Sequence, residues 1–436
     1  MDARAPETPH DSPPLACERL SPETEPLPPP ALGGWGAVFR AMRHRNFRLF
    51  VSGQIVSLVG TWMQMVAQNW LVYRLTHSEW LLGATGFCQH LPVFLLAPLG
   101  GLAADRCSRH RLVMLTQTLS MVQALGLALL TLTGQVQVWH VLAVALVLGT
   151  INAFDMPGRQ SLVIQLTGKE DLLNAIALNS AIFNAARVVG PAVAGVLVAS
   201  LGEGICFLLN SVSFLAVLGG LLAMRLPAFE PRPQKAALAY LIDGFRYAQR
   251  TRLLRVLLGL VAAVTVSSMP ALVLMPFFAD AIFHRGSQGL GFLMGAMGTG
   301  AVVGTLVLAK RPRATGLAEV IFVSALGVGL GYVLFALSPS FYLSLAIVPI
   351  IGFSVMRHNT AVNTVIQVFI PDEYRGRIMA LYAMMVVGVG PFGSLAAGAL
   401  AARFGARLTV MLGGLLCLSA AAAFRLYCPR GACEAL

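Results

Sequence analysis

Apolar residues fall in long blocks separated by short polar stretches, at 48–73, 81–103, 112–133, 139–156, 172–200, 203–224, 254–279, 288–309, 317–337, 341–362, 378–402 and 408–427. Crossing a hydrocarbon core of about 30 Å takes roughly 20 such residues in a helix. The pattern therefore predicts an all-α membrane protein with 12 transmembrane helices. Only Leu201–Gly204 divides the fifth block from the sixth. The long polar stretch 225–253 splits the twelve blocks into two sets of six.

Internal repetition supports two six-helix repeat halves. Val163-Ile164-Gln165 recurs as Val365-Ile366-Gln367, and Gly190-Pro191 recurs as Gly390-Pro391, in the same order and at nearly the same offset. Two halves related by an axis along the membrane normal form a transporter architecture. The resulting organisation is a Pro-rich disordered head at 1–45, a first half at 46–224, a linker at 225–253, a second half at 254–427 and a tail at 428–436.

Composition agrees and narrows the choice. Of 436 residues 57% are hydrophobic and 11% charged, whereas a soluble domain is about one quarter charged. The net charge of +12 would suggest nucleic acid as a partner in a soluble chain, but its placement points to topology, and no nucleic-acid partner is expected. With the N-terminus taken as cytoplasmic, 25 basic residues fall on the inner side and four (Arg74, Arg285, Arg403 and Arg407) on the outer side. That asymmetry follows the positive-inside rule and puts both termini in the cytoplasm. Seven scattered cysteines without a CxxC pair argue against a disulfide framework or a metal site. Nine prolines among the first 30 residues and no charged-apolar-small leader rule out a signal peptide of the usual kind. With no GxxxxGK[ST] stretch, ATP hydrolysis is excluded; no cofactor is expected, and transport must draw on a gradient.

The loop after the second helix reads Gly101-Leu102-Ala103-Ala104-Asp105-Arg106-Cys107-Ser108-Arg109-His110-Arg111. It resembles the loop GxxxD[RK]xGx[RK][RK] of the major facilitator superfamily, with Gly101, Asp105 and Arg106 matching and Arg109 and Arg111 supplying the basic end. Ser108 stands where the second glycine is usual and His110 is intercalated. The resemblance implies an inner gate, in which Asp105 caps a helix N-terminus or pairs with an arginine. In the fifth helix Gly190, Pro191 and Gly195 resemble the Gly-Pro stretch of exporters in that superfamily, allowing bending and close approach. Asn152-Ala153-Phe154-Asp155-Met156-Pro157-Gly158-Arg159-Gln160, with Gln367, Pro371-Asp372-Glu373-Tyr374-Arg375-Gly376-Arg377 and Gly390-Pro391, resembles the branch of enterobactin exporters and macrolide efflux proteins. This covers about residues 40–427 and implies a proton antiporter in a bacterial inner membrane. A monomer embedded in the lipid bilayer is expected, with a small-molecule substrate and protons as its partners.

Ionisable groups inside spans cost about 3 kcal/mol or more and are functional candidates by default. Arg187 sits about 22 Å from the inner end of the fifth span at 1.5 Å per residue, facing a wet cavity or a partner. Asp155 lies near the inner end of the fourth span, and Arg357 occupies the repeat-related place in the tenth. Asp155 and Arg357 are expected to form an inner-gate ion pair; the alternative leaves Asp155 with Arg159 and Arg357 at a helix C-terminus. Asp155, His90 and His358 are the groups that could carry a proton. Gln54, Gln64 and Gln68 share one face of the first helix with Trp62 nearby, and Asn179 and Asn184 add amides to the fifth, suiting a cavity for a mixed polar and apolar solute. Glycines 291, 295, 300 and 304 in the eighth helix are read as packing residues.

These expectations converge on export of a small amphiphile, a siderophore or a drug, by alternating access. A lysophospholipid flippase of the same fold is the alternative, and a non-transporting receptor or scaffold a third reading.

Overall fold

The computed structural model describes residues 40–167, 171–225, 237–310 and 316–427. Residues 1–39 of the expected head and the tail 428–436 lie outside the described residues. Among the described residues, 12 helices are long and apolar enough to cross a bilayer. They comprise α1 Arg45–Thr76, α2 Glu79–Arg106, α3 Arg109–Leu132, α4 Val138–Thr167, α5 Leu172–Leu201 and α6 Glu203–Leu222. After the linker helix α7 Ala237–Arg250 come α8 Arg252–Phe277, α9 Gly286–Ala309, α10 Leu317–Leu337 and α11 Phe341–Phe369. The eleventh span joins α12 Asp372–Ala383, a π turn at Met384–Gly388 and α13 Gly390–Phe404, and α14 Ala406–Tyr427 completes the bundle.

Helices dominate because hydrocarbon offers no partner for a free N–H or C=O. The same constraint lengthens two elements beyond the apolar blocks. Block four ends at Met156, yet α4 runs through Pro157 to Thr167. Proline withholds a single N–H, and a helix remains the cheapest way to satisfy the other backbone groups. Ahead of Pro391 the helix widens into the π turn, one residue inserted where the proline cannot donate. Between α5 and α6 the chain reverses at Gly202, whose φ of 81° is open to glycine and strained for other residues.

Arg45, Arg106, Arg159 and Arg425 share one end of the bundle, here the basic end; the opposite end is the far end. The first six helices pair as α1 with α5 and α6, α2 with α4, and α3 with α4 and α6. The last six repeat the scheme: α8 with α13 and α14, α9 with α11, and α10 with α11 and α14. The halves meet chiefly along α5 against α9 and α2 against α13. Both seams are made by glycine. A Cβ on Gly195 would stand 2.8 Å from the Gly291 Cα, and one on Gly83 would stand 2.7 Å from the Gly398 Cα. Both approaches lie toward the far end. There the Tyr73 hydroxyl also donates across the halves to Asp280 Oδ2 at 3.0 Å.

At the basic end Asp171, with no exposed side-chain surface, receives Arg40 Nε at 2.5 Å, Arg43 Nη2 at 2.7 Å and His44 Nε2 at 2.8 Å. The Ala41 N–H donates to Asn174 Oδ1 at 2.8 Å. This cluster corrects the expected head: residues 40–45 are ordered, with a 3-10 turn at Arg40–Arg43 leading into α1. Burial alone raises the Asp171 pKa. Hydrogen bonds from His44 and Arg40, with the charges of Arg40 and Arg43, prevail and hold it below the ordinary carboxylate range.

A folded-state pKa below the unfolded one stabilises above the unfolded value, near 4, and the contribution fades as pH falls through the folded value. Asp171→Ala is expected to speed amide hydrogen exchange across residues 40–50 at neutral pH. Wild type is expected to show the same acceleration only well below pH 4. Exchange mass spectrometry in detergent measures both.

Candidate functional site

Helix α5 exposes two different faces along its length. In its half toward the far end Val189, Val193 and Val196 are exposed, at the spacing of one face turned to lipid. Toward the basic end that face continues through Ala177, Ala181 and Ala185, and Ile176, Ser180 and Phe183 are exposed as well, on another face and in register with Arg187. Arg187 is where that stripe meets the closed seam: its backbone carbonyl would stand 2.8 Å from a Cβ on Gly298 of α9. The halves therefore touch from mid-bundle to the far end and part below Arg187, leaving a cavity open to the basic end.

Arg187 lies halfway along α5, at the apex of this cavity. Its guanidinium sits over the Trp62 ring, 5.6 Å from the centroid, and Phe183 meets Trp62 edge-on at 5.6 Å. Asn184, one turn below, donates to the Ser180 carbonyl at 2.9 Å, while its buried Oδ1 has no hydrogen-bond partner. From the second half, buried Tyr332 is in electrostatic reach of Arg187. Among the described residues no carboxylate forms an ion pair with Arg187. The arrangement is a cation flanked by aromatic faces at the closed end of an open cavity. Gly190 sets it: a Cβ there would stand 2.5 Å from Trp62 Cβ, so only glycine brings α1 and α5 this close. Pro191 and Gly195 continue the helix into the seam with α9.

The expected cavity amides separate. Gln64 accepts from Asn210 Nδ2 at 2.5 Å and donates to Gln123 Oε1 at 3.3 Å, so it faces α6 and α3 inside the first half. Gln68 is buried, and its Nε2 has no partner. Gln54 accepts from Arg159 Nη1 at 3.2 Å. Asn179 is half-buried on α5. The three amides meet different partners because a buried amide turns to whichever neighbour completes its hydrogen bonds, and Asn210, which bonds Gln64, lies far away in sequence.

Asp155 and Arg357 are not paired. The Asp155 Oδ2 takes Arg159 Nη2 at 2.7 Å, and its Oδ1 accepts from Thr116 Oγ1 at 2.8 Å and Gln117 Nε2 at 2.9 Å. With three donors the carboxylate is satisfied inside the first half, between α3 and α4. Arg357 instead leans over the Phe353 ring and faces a groove between α9 and α10. The repeat offset fixes sequence equivalence and leaves side-chain direction open. His358 is fully buried, 3.4 Å from the Ile321 carbonyl of α10 and away from the cavity. His90 bonds the Gly86 carbonyl at 2.8 Å within α2.

Gly101 is open in the last turns of α2, and Asp105 and Arg106 there, with Arg111 in the first turn of α3, form no ion pair among the described residues. Arg109 keeps a buried Nε without a partner. Ser108 adopts φ −58°, a value any residue takes, so the missing glycine causes no strain. His110 Nε2 lies 2.8 Å from the Leu221 carbonyl, tying the start of α3 to α6. The far-end contacts were not anticipated from sequence: besides Tyr73–Asp280, Arg74 forks onto Glu203 at 2.7 and 3.2 Å and joins α1 to α6.

Residues 37–435 match the family model of the transmembrane secretion effectors. The staphyloferrin A transporter of Staphylococcus aureus is 26% identical over 374 residues, covering 84% of this chain and 92% of the relative. The multidrug efflux pump Tap of Mycolicibacterium fortuitum is 25% identical over 374 residues, 83% and 91% covered. The enterobactin exporter EntS of Shigella flexneri is 26% identical over 360 residues, 82% and 86% covered. Among solved structures, a bacterial homologue of the iron transporter ferroportin in an inward-facing state shares the fold, with TM-score 0.67 at 16% identity, covering 89% of this chain and 99% of that one.

Gln64→Ala strands the Asn210 and Gln123 amides and is expected to cost about 1–3 kcal/mol. The expected readout is a lowered melting temperature in detergent with transport per folded molecule retained. Trp62→Ala is expected to do the reverse.

Proposed function

The chain belongs to the transmembrane secretion effector family of the major facilitator superfamily, a family of membrane transporters and not of enzymes. From that premise we propose that it exports a small amphiphile bearing an anionic group, in exchange for protons, with the basic end facing the cytoplasm. The observation that carries the substrate class is Arg187: a guanidinium at the apex of the cavity, flanked by Trp62 and Phe183, with no acidic partner among the described residues. A cation near the bilayer centre costs about 3 kcal/mol or more, and a cation–π contact returns about 0.5–2 kcal/mol. An anionic solute supplies the remainder, and the aromatic walls take its apolar body. The staphyloferrin and enterobactin transporters among the relatives support the same choice within the siderophore and drug classes.

Alternating access follows from the two glycine seams, which act as the pivot while the basic end closes. On closure Asp105 at the end of α2 becomes available to the second half. For coupling, the Asp155–Arg159 pair is the candidate element, because Arg159 bridges Asp155 of its own helix and Gln54 of α1. A proton on Asp155 replaces a charge-assisted bond with a weaker neutral one and frees Arg159 toward α1. A proton couples to transport only through such a difference between the two states.

Cells overproducing the chain are expected to accumulate less of a catecholate or hydroxycarboxylate chelator, and a protonophore is expected to abolish the difference. Arg187→Gln, at unchanged abundance and melting temperature, is expected to cut export at least about tenfold, equivalent to about 1.4 kcal/mol, with partial recovery in Arg187→Lys. Export of cationic dyes with undiminished activity in Arg187→Gln would overturn the anionic reading, and uptake of fluorescent lysolipid would replace export by lipid flipping. Asp155→Asn is expected to retain downhill exchange while losing proton-driven accumulation, measured in everted vesicles with an imposed pH gradient.

A further inference from the structure

A second cation without a counter-charge lies outside the central cavity. Arg357, on α11, forms one wall of a 370 Å³ groove between the basic ends of α9 and α10, lined also by Val307, Lys310, Glu319, Val320 and Val323. Its Nε is buried without a hydrogen-bond partner, and no carboxylate pairs with it among the described residues. The one acid in the groove, Glu319, points the other way, to Arg425 Nη1 of α14 at 3.1 Å. Lys310 closes α9 at the rim. Val307 and Val323 are 48% and 44% exposed on opposite sides of the opening, continuous with exposed Val303, Leu306 and Leu330 on the outward faces of the same helices.

The repeat sharpens the contrast. At the equivalent place in the first half Asp155 is neutralised within the protein by Arg159. Arg357 has no such internal partner, although a charge at this depth demands one. The groove opens laterally between two membrane-facing helices, so its partner comes from the bilayer.

We propose that this groove is a binding site for an anionic phospholipid of the leaflet at the basic end. The phosphate sits between Arg357 and Lys310, where the guanidinium offers paired donors to its oxygens, and an acyl chain lies between Val307 and Val323. The apolar, lipid-exposed walls commit the site to a lipid in preference to a free anion. A bound lipid pins α9 to α10 at the end where the halves separate.

The test uses the purified full-length chain, delipidated in detergent, with bound lipid counted by native mass spectrometry. Phosphatidylglycerol is titrated against phosphatidylcholine, and glycerol 3-phosphate serves as the free anion. Wild type is expected to retain one phosphatidylglycerol in strong preference to phosphatidylcholine, with no stabilisation by millimolar glycerol phosphate. Arg357→Gln is expected to lose that lipid, and Lys310→Gln to weaken it about tenfold. Arg357→Lys, keeping the charge, is expected to recover part of it and controls for folding. Equal retention of the two lipids, retention unchanged in Arg357→Gln, or equal stabilisation by glycerol phosphate would each overturn the proposal. Loss of phosphatidylglycerol binding with export intact would still support this site, so its outcome is separable from the role of Arg187.

Discussion

Everything in this bundle depends on the absence of water from the hydrocarbon core. Without solvent hydrogen bonds, the backbone must stay helical even through Pro157, Pro191 and Pro349. Without a hydrophobic difference between lipid and side chain, helices associate where small residues permit backbone contact. Gly195 against Gly291 and Gly83 against Gly398 are those places between the halves. The seams that hold the halves together are thus narrow, backbone against backbone.

The same scarcity of water sorts polar side chains into two groups. Gln64, Asn210 and Gln123, and Asp155 with Arg159, Thr116 and Gln117, bond one another and tie the first half together, with Gln123 Nε2 and Gln117 Oε1 left without a partner. Arg74 with Glu203 and Asp171 with its basic neighbours do the same at the two ends. Arg187, Asn184 Oδ1 and Arg357 Nε lie outside these networks. Rocking requires each half to keep its internal bonds while contacts between halves change, and that is how the satisfied groups are distributed.

The two halves share a packing scheme and differ in chemistry. All five helix pairings of the first half recur in the second, yet the equivalent residues Asp155 and Arg357 face different surroundings. One is neutralised by an arginine four residues on; the other opens into a groove toward lipid. Repeat symmetry constrains the backbone because helix packing is a property of small residues at fixed spacing. It does not constrain charge, which a single substitution changes.

The amino-acid sequence by itself determined the twelve spans, the split into two repeats and the charge asymmetry between the bundle ends. Each is a consequence of residue type averaged over about 20 positions, and transfer of apolar segments into a bilayer depends on such averages. The place of Arg187 in mid-span was legible for the same reason. Only the tertiary structure decided which end of the cavity is closed, that Gln64 looks inward at Asn210, and that Arg357 faces a groove away from Asp155. Those outcomes turn on the rotation of one helix against another and on partners more than a hundred residues away, as with Arg40 and Asp171. A linear pattern carries the identity of such groups but not the direction in which packing turns them.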